Sequence, residues 1–347
     1  HITANKSNDK TVPHPQAHTF AMQSRITESA NPALQSSPCE SCDSENFTFV
    51  CDRNDGTSIV RCENCGLEAV NPLPDKGSLD STYNLEMKGD PSKPSENDPL
   101  FKNYITQHVQ RKKSFNKIFE RRLDLIERFS NDRGSLLDVG CGAGFFLHYA
   151  KLKGWNVSGI DLLKEYTQFA RKELKLDSIQ CLPLEEALFP EQSFDVVTLW
   201  DLIEHLPHPL HELKRINQLL KPGGHLAIWT PNVKNSIFMK ERWTGYITYQ
   251  HLYFFSLATL GQLLNRAGFS IVFSQTNKTK KGLLTPKESL IFEEIKKPES
   301  TTGRLLFSIK RDLKNALNPM TYLDLLFNMG GYGFNLLVIA VKDSTDK

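Results

Sequence analysis

Residues 136–144 read Leu-Leu-Asp-Val-Gly-Cys-Gly-Ala-Gly, an apolar run that closes on one carboxylate and then on three glycines at alternate positions. Such a run is a buried parallel strand, and the glycines after it mark a turn where backbone approaches a ligand closely. Loops that receive a pyrophosphate at a helix N-terminus space their glycines G-x-G-x-x-G. Here Gly140, Gly142 and Gly144 follow G-x-G-x-G, with Asp138 two residues ahead and Cys141 inside the loop, which favours a ligand without phosphates. Asp161 closes the next apolar stretch, where a carboxylate about 20 residues downstream can accept both hydroxyls of a ribose. Together these signals fit an adenosine with a free 2′-hydroxyl. A dehydrogenase using a nicotinamide dinucleotide is the nearest competitor, and the glycine spacing speaks against it.

A second group lies upstream. Cys39-Glu-Ser-Cys42 and Cys62-Glu-Asn-Cys65-Gly66 are separated by 19 residues, inside the window for a tetrahedral zinc site with four thiolates. Four protein ligands leave no open position, so such a zinc is structural. Gly66 tolerates the turn after the second pair. Cys51 lies between the pairs and is not expected to be a ligand, and Cys141 and Cys181 read as ordinary thiols.

The third group is built on histidine, the side chain best matched to proton transfer near neutral pH. The strand expected at 194–200 runs into Trp200-Asp201-Leu202-Ile203-Glu204-His205. A loop at the carboxyl end of a strand in an open α/β sheet faces the ligand crevice. Trp200 and Asp201 are placed to border the ligand, while Glu204 and His205 either point toward a second substrate or lock the loop by hydrogen bonds. His251 lies in Tyr-Ile-Thr-Tyr-Gln-His-Leu-Tyr-Phe-Phe-Ser, residues 246–256, ahead of a helix that Ser256 caps. His251 is the leading general-base candidate, with Tyr249 and Tyr253 as pocket walls.

Alternating strand and helix patterns position these groups from residue 135 onward. Strands are expected at 135–139, 155–160, 178–181, 194–200, 225–230, 269–275 and 335–341, with helices near 143–153, 163–175, 208–220 and 256–267. That is an α/β fold, a doubly wound sheet with helices on both faces. Pro222-Gly223-Gly224 stops one helix and turns the chain into the next strand. The expected organisation is a disordered segment at 1–37, a zinc-binding module at 38–75, a linker with one long helix at 76–130, and a catalytic domain at 131–347. A helical lid is expected as an insertion at 276–330, because that stretch is too long for a plain loop. Within it Leu306, Ile309, Leu313 and Leu317 share a helical face flanked by Arg304, Lys310, Arg311 and Lys314, so it packs as a lid or rests on an anionic membrane surface. The long helix is basic through Arg111, Lys112, Lys113, Lys117, Arg121 and Arg122, read as a solvated face.

Composition narrows the function classes. The 347 residues carry a net charge of +2 and 39% apolar residues, enough for a core and without a general pull toward nucleic acid. No run of 18 apolar residues reads as a transmembrane helix, and no charged head with an apolar stretch behind it reads as a secretory signal. The first residue is His, which suggests a fragment or a processed chain. Seven cysteines, four of them in C-x-x-C pairs, fit a metal site in a cytoplasmic protein better than a disulfide framework. Asp43, Glu45, Asp52, Asp55, Glu63 and Glu68 outnumber the arginines of the cysteine module, which argues against phosphate contact.

The glycine loop, Gly159-Ile160-Asp161, Ser193-Phe194-Asp195-Val196-Val197, Glu204-His205 and Leu220-Lys221-Pro222-Gly223-Gly224 occur in that order. In this it resembles the class I S-adenosylmethionine-dependent methyltransferases over about residues 135–273. The resemblance implies a seven-stranded Rossmann-like sheet whose last strand is antiparallel. It implies that Gly140, Cys141, Gly142 and Gly144 border the amino-acid part of S-adenosyl-L-methionine with Asp138 binding nearby, that Asp161 takes the ribose, and that Leu162 touches the adenine face. The acidic or amide residue that meets the adenine edge in this family is absent from Gln180-Cys181-Leu182-Pro183-Leu184-Glu185 at its usual place, leaving backbone of Leu182 or Leu184. The His-Leu-x-Phe-Phe-Ser segment is similar to the acceptor side of small-molecule methyltransferases, and the cysteine module followed by Asn71-Pro72-Leu73-Pro74 is similar to the zinc-binding segment of sugar and other small-molecule methyltransferases. The implied activity is methyl transfer to an oxygen or a carbon of a small molecule, with a nucleotide-linked or lipid-linked sugar as the leading acceptor. An RNA methyltransferase that reads through its zinc module and a noncatalytic cofactor-binding scaffold are the alternatives. Oligomeric state is not legible.

Overall fold

Three short strands rich in β-branched and aromatic residues form first: β1 (Phe47–Asp52), β2 (Ser58–Cys62) and β3 (Glu68–Asn71), joined as antiparallel neighbours. The computed structural model describes residues 37–53, 55–75, 77, 99–130, 133–238, 240–247, 250–277 and 328–344. The expected disordered segment, apart from Ser37, and nearly all of the expected helical insertion, with its 304–317 helix, therefore lie outside the described residues. Among the described residues no helix is long and apolar enough to cross a membrane.

The long helix expected near 100–129 is two helices, α1 (Pro99–Gln110) and α2 (Lys112–Ile126), because Arg111 leaves helical geometry at φ −103° and ψ 21°. The break lets the two helices serve different targets. Tyr104 and His108 of α1 stack toward Phe145, while Phe119, Leu123 and Ile126 of α2 pack on one face of the main sheet.

That sheet follows the expected alternation: β4 (Ser135–Val139), α3 (Phe145–Leu152), β5 (Asn156–Ile160), α4 (Lys164–Lys172), β6 (Ile179–Gln180), β7 (Phe194–Trp200), α5 (Pro209–Leu219) and β8 (Leu220–Pro231). After a short helix α6 (Thr244–Ile247) come β9 (Tyr253–Phe254), α7 (Leu257–Arg266), β10 (Phe269–Asn277) and β11 (Asn335–Lys342). Seven strands lie in the order β10-β11-β8-β7-β4-β5-β6. Strands β8, β7, β4, β5 and β6 are parallel, and β11 is antiparallel to both neighbours. Successive residues of β4 point to opposite faces, so Leu136 joins one core cluster and Leu137 the other.

Ser256 caps α7 as its position suggests: its hydroxyl accepts from Thr259 N at 3.2 Å while Thr259 Oγ1 accepts from Ser256 N at 2.9 Å. Just ahead of it, β9 pairs antiparallel with β3, placing Glu68 opposite Phe254 and Ala69 opposite Tyr253. The cysteine module's sheet is therefore four-stranded, in the order β1-β2-β3-β9. Cys39, Phe47, Val60, Cys62 and Leu67 share one buried cluster with Leu213, Ile216, Leu252, Leu260 and Leu264. Tyr253, expected as a pocket wall, is instead buried in this cluster with its hydroxyl donating to Pro207 O at 3.1 Å. Tyr249 lies outside the described residues.

Candidate active site and cysteine centre

The parallel strands deliver their carboxyl ends to one crevice. Asp138 is the penultimate residue of β4, Asp161 follows β5, Trp200 ends β7 and Asp201 follows it, so neighbouring strands in register bring these side chains together. Gly140 N and Cys141 N both donate to Ile160 O, at 2.9 and 3.0 Å, which ties the glycine loop to β5. Gly142 N donates to Asp161 Oδ2 at 2.8 Å and Leu163 N donates to Asp161 Oδ1 at 2.9 Å. Asp161 thus buttresses the loop, and each oxygen keeps a second lone pair for a further donor.

The three loop glycines have positive φ but different surroundings. A Cβ on Gly144, φ +79°, would lie 2.8 Å from Leu176 and 2.9 Å from Ala170, so this glycine serves helix packing. A Cβ on Gly142, φ +54°, would meet only the Tyr104 hydroxyl at 3.1 Å. Gly142 is the position that opens the loop backbone to the crevice, with Tyr104 of α1 standing over it. Cys141 is buried, and burial pushes its thiol up. Leu162 is 53% exposed beside the crevice, which leaves its side chain available to a flat ring.

Charge in the crevice is concentrated and poorly hydrated. Burial pushes the Asp138 carboxyl up to about 7, against the Thr198 hydroxyl, which donates to Oδ1 at 2.6 Å, and against the Arg122 guanidinium. Burial also raises Asp161, against three backbone N–H groups. Arg122, read from sequence as part of a solvated basic face, instead lies with its guanidinium 4.2 Å from the Trp200 ring centroid. Burial lowers its pKa while Asp201, Asp138 and Tyr104 act in the opposite sense. The other five cations of that stripe are exposed. Helical period alone does not tell which end of an amphipathic helix overhangs a crevice, so the sequence does not mark Arg122 and Tyr104 as site residues. The one available signal was Arg122 beside Leu123 and two turns from Phe129.

Glu204 and His205 form a 3-10 turn after β7 and meet His251. One ligand atom from each of the three lies within 4.8 Å of the other two, and the two imidazole centroids are 4.9 Å apart. His205 Nδ1 pairs with Gln250 O at 2.9 Å and His251 Nδ1 pairs with Gly245 O at 3.0 Å. A carbonyl only accepts, so both Nδ1 atoms carry the proton and both Nε2 atoms carry a lone pair. Burial lowers the pKa of His205 and, with His205 and Arg53, holds His251 down at about 3. Burial and the Asp201 carboxylate push Glu204 up to about 8. Its Oε2 accepts from Thr230 Oγ1 at 2.9 Å, and its buried Oε1 has no hydrogen-bond partner among the described residues.

The four expected cysteines converge. Cys39, Cys42, Cys62 and Cys65 place their sulfurs within 4.8 Å of one another, with Cys39–Cys65 and Cys42–Cys62 separations of 3.5 Å. A tetrahedral zinc with bonds of about 2.3 Å requires sulfurs about 3.8 Å apart, and a disulfide about 2.05 Å. The set therefore fits a metal and not a pair of disulfides. The Cys39 thiol, and after it the Leu67 N–H that donates to Cys65 Sγ at 3.4 Å, draw Cys65 down to about 7 against burial. Cys51 stands outside the group.

Residues 110–273 match the family described as a methyltransferase domain. The ubiquinone biosynthesis O-methyltransferase of Vibrio atlanticus is 37% identical over 102 residues, covering 28% of this chain and 43% of that protein. The enzyme of the same name from Chromobacterium violaceum is 33% identical over 126 residues, covering 35% of this chain and 54% of that protein. The chain thus spans about half the length of these relatives. A solved S-adenosylmethionine-dependent methyltransferase from Archaeoglobus fulgidus aligns over 69% of this chain and 99% of its own at 20% identity and a TM-score of 0.46. The matched span encloses the glycine loop, both acidic strand ends and the histidine pair, so residues 110–273 form a methyltransferase domain similar to the S-adenosylmethionine-dependent enzymes.

Proposed function

We propose that the protein transfers a methyl group from S-adenosylmethionine to a hydroxyl oxygen of a small molecule. The observation that carries this reading is the convergence of Asp138, Asp161, the Gly142 backbone and the half-buried Arg122 at the carboxyl edge of a parallel sheet. The residues fit the cofactor: Asp161 has lone pairs for the ribose, Arg122 for the amino-acid carboxylate, Asp138 and Asp201 for positive charge, and Leu162 for the adenine face. When bound, the cofactor supplies a methyl already activated by its sulfonium. Holding donor and acceptor in line contributes about 7–11 kcal/mol to such a step.

His251 is the base. It is neutral near pH 7, and its Nε2 lone pair is the one free to take a proton from a hydroxyl. The relatives' names favour oxygen over carbon and give an intermediate of ubiquinone biosynthesis as the first acceptor class to try, while the nucleotide- or lipid-linked sugar rests on the resemblance of the cysteine module alone. The Cys₄ group holds one structural zinc. We place the protein in the cytoplasm, with no nucleic-acid partner. A second reading of the histidine cluster is favoured by the unpartnered Glu204 Oε1: with two Nε2 lone pairs it could hold a divalent cation that acidifies the acceptor hydroxyl.

Mass analysis of copurified ligand tests the cofactor, and a panel of ubiquinone-type phenols and nucleotide sugars tests the acceptor. His251→Ala should lower turnover about 10²–10⁴-fold at nearly normal cofactor affinity. If His205→Ala abolishes turnover and His251→Ala does not, the two roles are exchanged. Two metals per chain instead of one would favour the cation reading.

A further inference from the structure

The residues that hold His251 in place come largely from the cysteine module. The carbonyl that fixes the His251 ring belongs to Gly245, whose neighbour Tyr246 donates its hydroxyl to Glu68 Oε2 in β3. Glu68 is buried, and its other oxygen accepts from Arg61 Nε at 2.9 Å and Nη2 at 2.7 Å, so the carboxylate cannot swing away. On the far side of the same segment, Arg53 Nη1 donates to the His251 carbonyl at 3.0 Å. The Arg53 side chain is 2% exposed and its Nη2 is held by Asp55 at 3.0 Å. One residue on, Val70 N donates to Leu252 O at 2.9 Å while Leu252 N donates to Glu204 O at 2.8 Å. Ile59 and Val70 close the arrangement by packing on Trp243, Tyr246 and Phe254.

We propose that Arg53 and Glu68 are positioning residues for His251, so that the cysteine module is a wall of the acceptor site and not a detached stabilising appendage. This rests on the reading of His251 as the acceptor-side base. The Gly245 carbonyl keeps the His251 proton on Nδ1, and that leaves Nε2 as the base. A shift of Tyr246 moves that carbonyl, and a misplacement of about 1 Å lowers a rate about 10²-fold. The groups facing His251 that set its protonation are His205 and Arg53, both opposing a positive ring, with Glu204 as the acidic neighbour.

The test uses the full chain labelled with ¹⁵N-histidine, the His251 signals being assigned with His251→Gln. In the wild type a single Nδ1-protonated, neutral ring is expected throughout pH 5–8. Arg53→Met combined with Glu68→Gln should give averaged tautomers and a titration inside that range, with cofactor affinity by calorimetry within twofold of wild type. Arg53→Lys, which keeps one donor and the charge, should retain the wild-type pattern. An unchanged tautomer and titration in the double variant overturns the proposal; if the double variant does not fold, the two single variants carry the same readout. Loss of the tautomer lock without loss of turnover upholds the positioning role and sinks the reading of His251 as base. Where that base reading holds, turnover falls about 10²-fold with the lock.

Discussion

Asp161→Asn separates the buttressing of the glycine loop from the binding of a ribose. In the wild type each carboxylate oxygen accepts one backbone N–H, from Gly142 at 2.8 Å and Leu163 at 2.9 Å. An asparagine has one carbonyl oxygen, so whichever way its amide is turned, one N–H loses its acceptor and confronts an NH₂ donor. A hydrogen bond to a charged group is worth about 1.5–3 kcal/mol. The neutral amide also relieves the burial that raises the Asp161 pKa, so the net destabilisation should be about 2 kcal/mol. Asp161→Ala strands both N–H groups and should approach about 4 kcal/mol, a large part of the total of about 5–15 kcal/mol for a domain. Urea unfolding without cofactor measures this term. Calorimetry with S-adenosylmethionine measures the second, an affinity loss of about 10-fold or more when a charge-assisted bond to the ribose weakens. If Asp161→Asn unfolds within about 0.5 kcal/mol of wild type, the buttress is wrong; if its affinity stays within twofold, so is the ribose assignment.

Asp138, held at about 7 in the fold against about 3.9 in an unfolded chain, binds a proton in the folded state that the unfolded state has lost. Its contribution to stability is full below about pH 4 and declines as pH rises through 7, and a cation bound beside it should expel the proton. Cofactor affinity should therefore fall on acidification below pH 7, and equal binding heats in buffers of different ionisation enthalpy would refute the proton release. Metal analysis should find one zinc per chain, lost in Cys39→Ser and retained in Cys51→Ser. Because the cysteine module shares its core with α5 and α7, zinc removal should lower the thermal midpoint of the whole domain, and an unshifted main transition would contradict that coupling. Gly142→Val adds left-handed strain of about 1–2 kcal/mol and a side chain against Tyr104, so cofactor binding should be lost, with normal binding counting against the crevice as drawn.

The elements nearest to the chemistry were the most legible in sequence. Loops at strand ends are short, so the apolar runs at 135–139 and 194–200 locate Asp138, Trp200 and Asp201 almost without tertiary information, and the cysteine spacing carries its own geometry. What stayed hidden depends on contacts between distant segments. Local pattern leaves the direction of Arg122 undecided, since its neighbours Arg121 and Asp124 are exposed while Leu123 is buried. Tyr253 sits in an aromatic run that suits a pocket wall as well as a two-residue strand, and only the partner β3, far upstream, decides between them. The buttressing role of Asp161 is equally hidden, because a carboxylate after a strand does not announce that it will accept backbone N–H groups from the loop before it.

The pairing of Ala69 with Tyr253 spans 253 − 69 = 184 residues. At about 5–20 residues per second, the ribosome needs roughly 10–40 s after delivering β3 before β9 emerges to cover it. Throughout that interval β3 has one open edge with Ala69 and Val70 on it, an invitation to pair with another nascent chain. Metal capture by the two C-x-x-C pairs can be complete long before then, since all four ligands precede β3. An early-bound ion would keep the hairpin compact while its permanent neighbour is still being made, so metal supply during synthesis, more than in the finished protein, should govern the yield of folded chains.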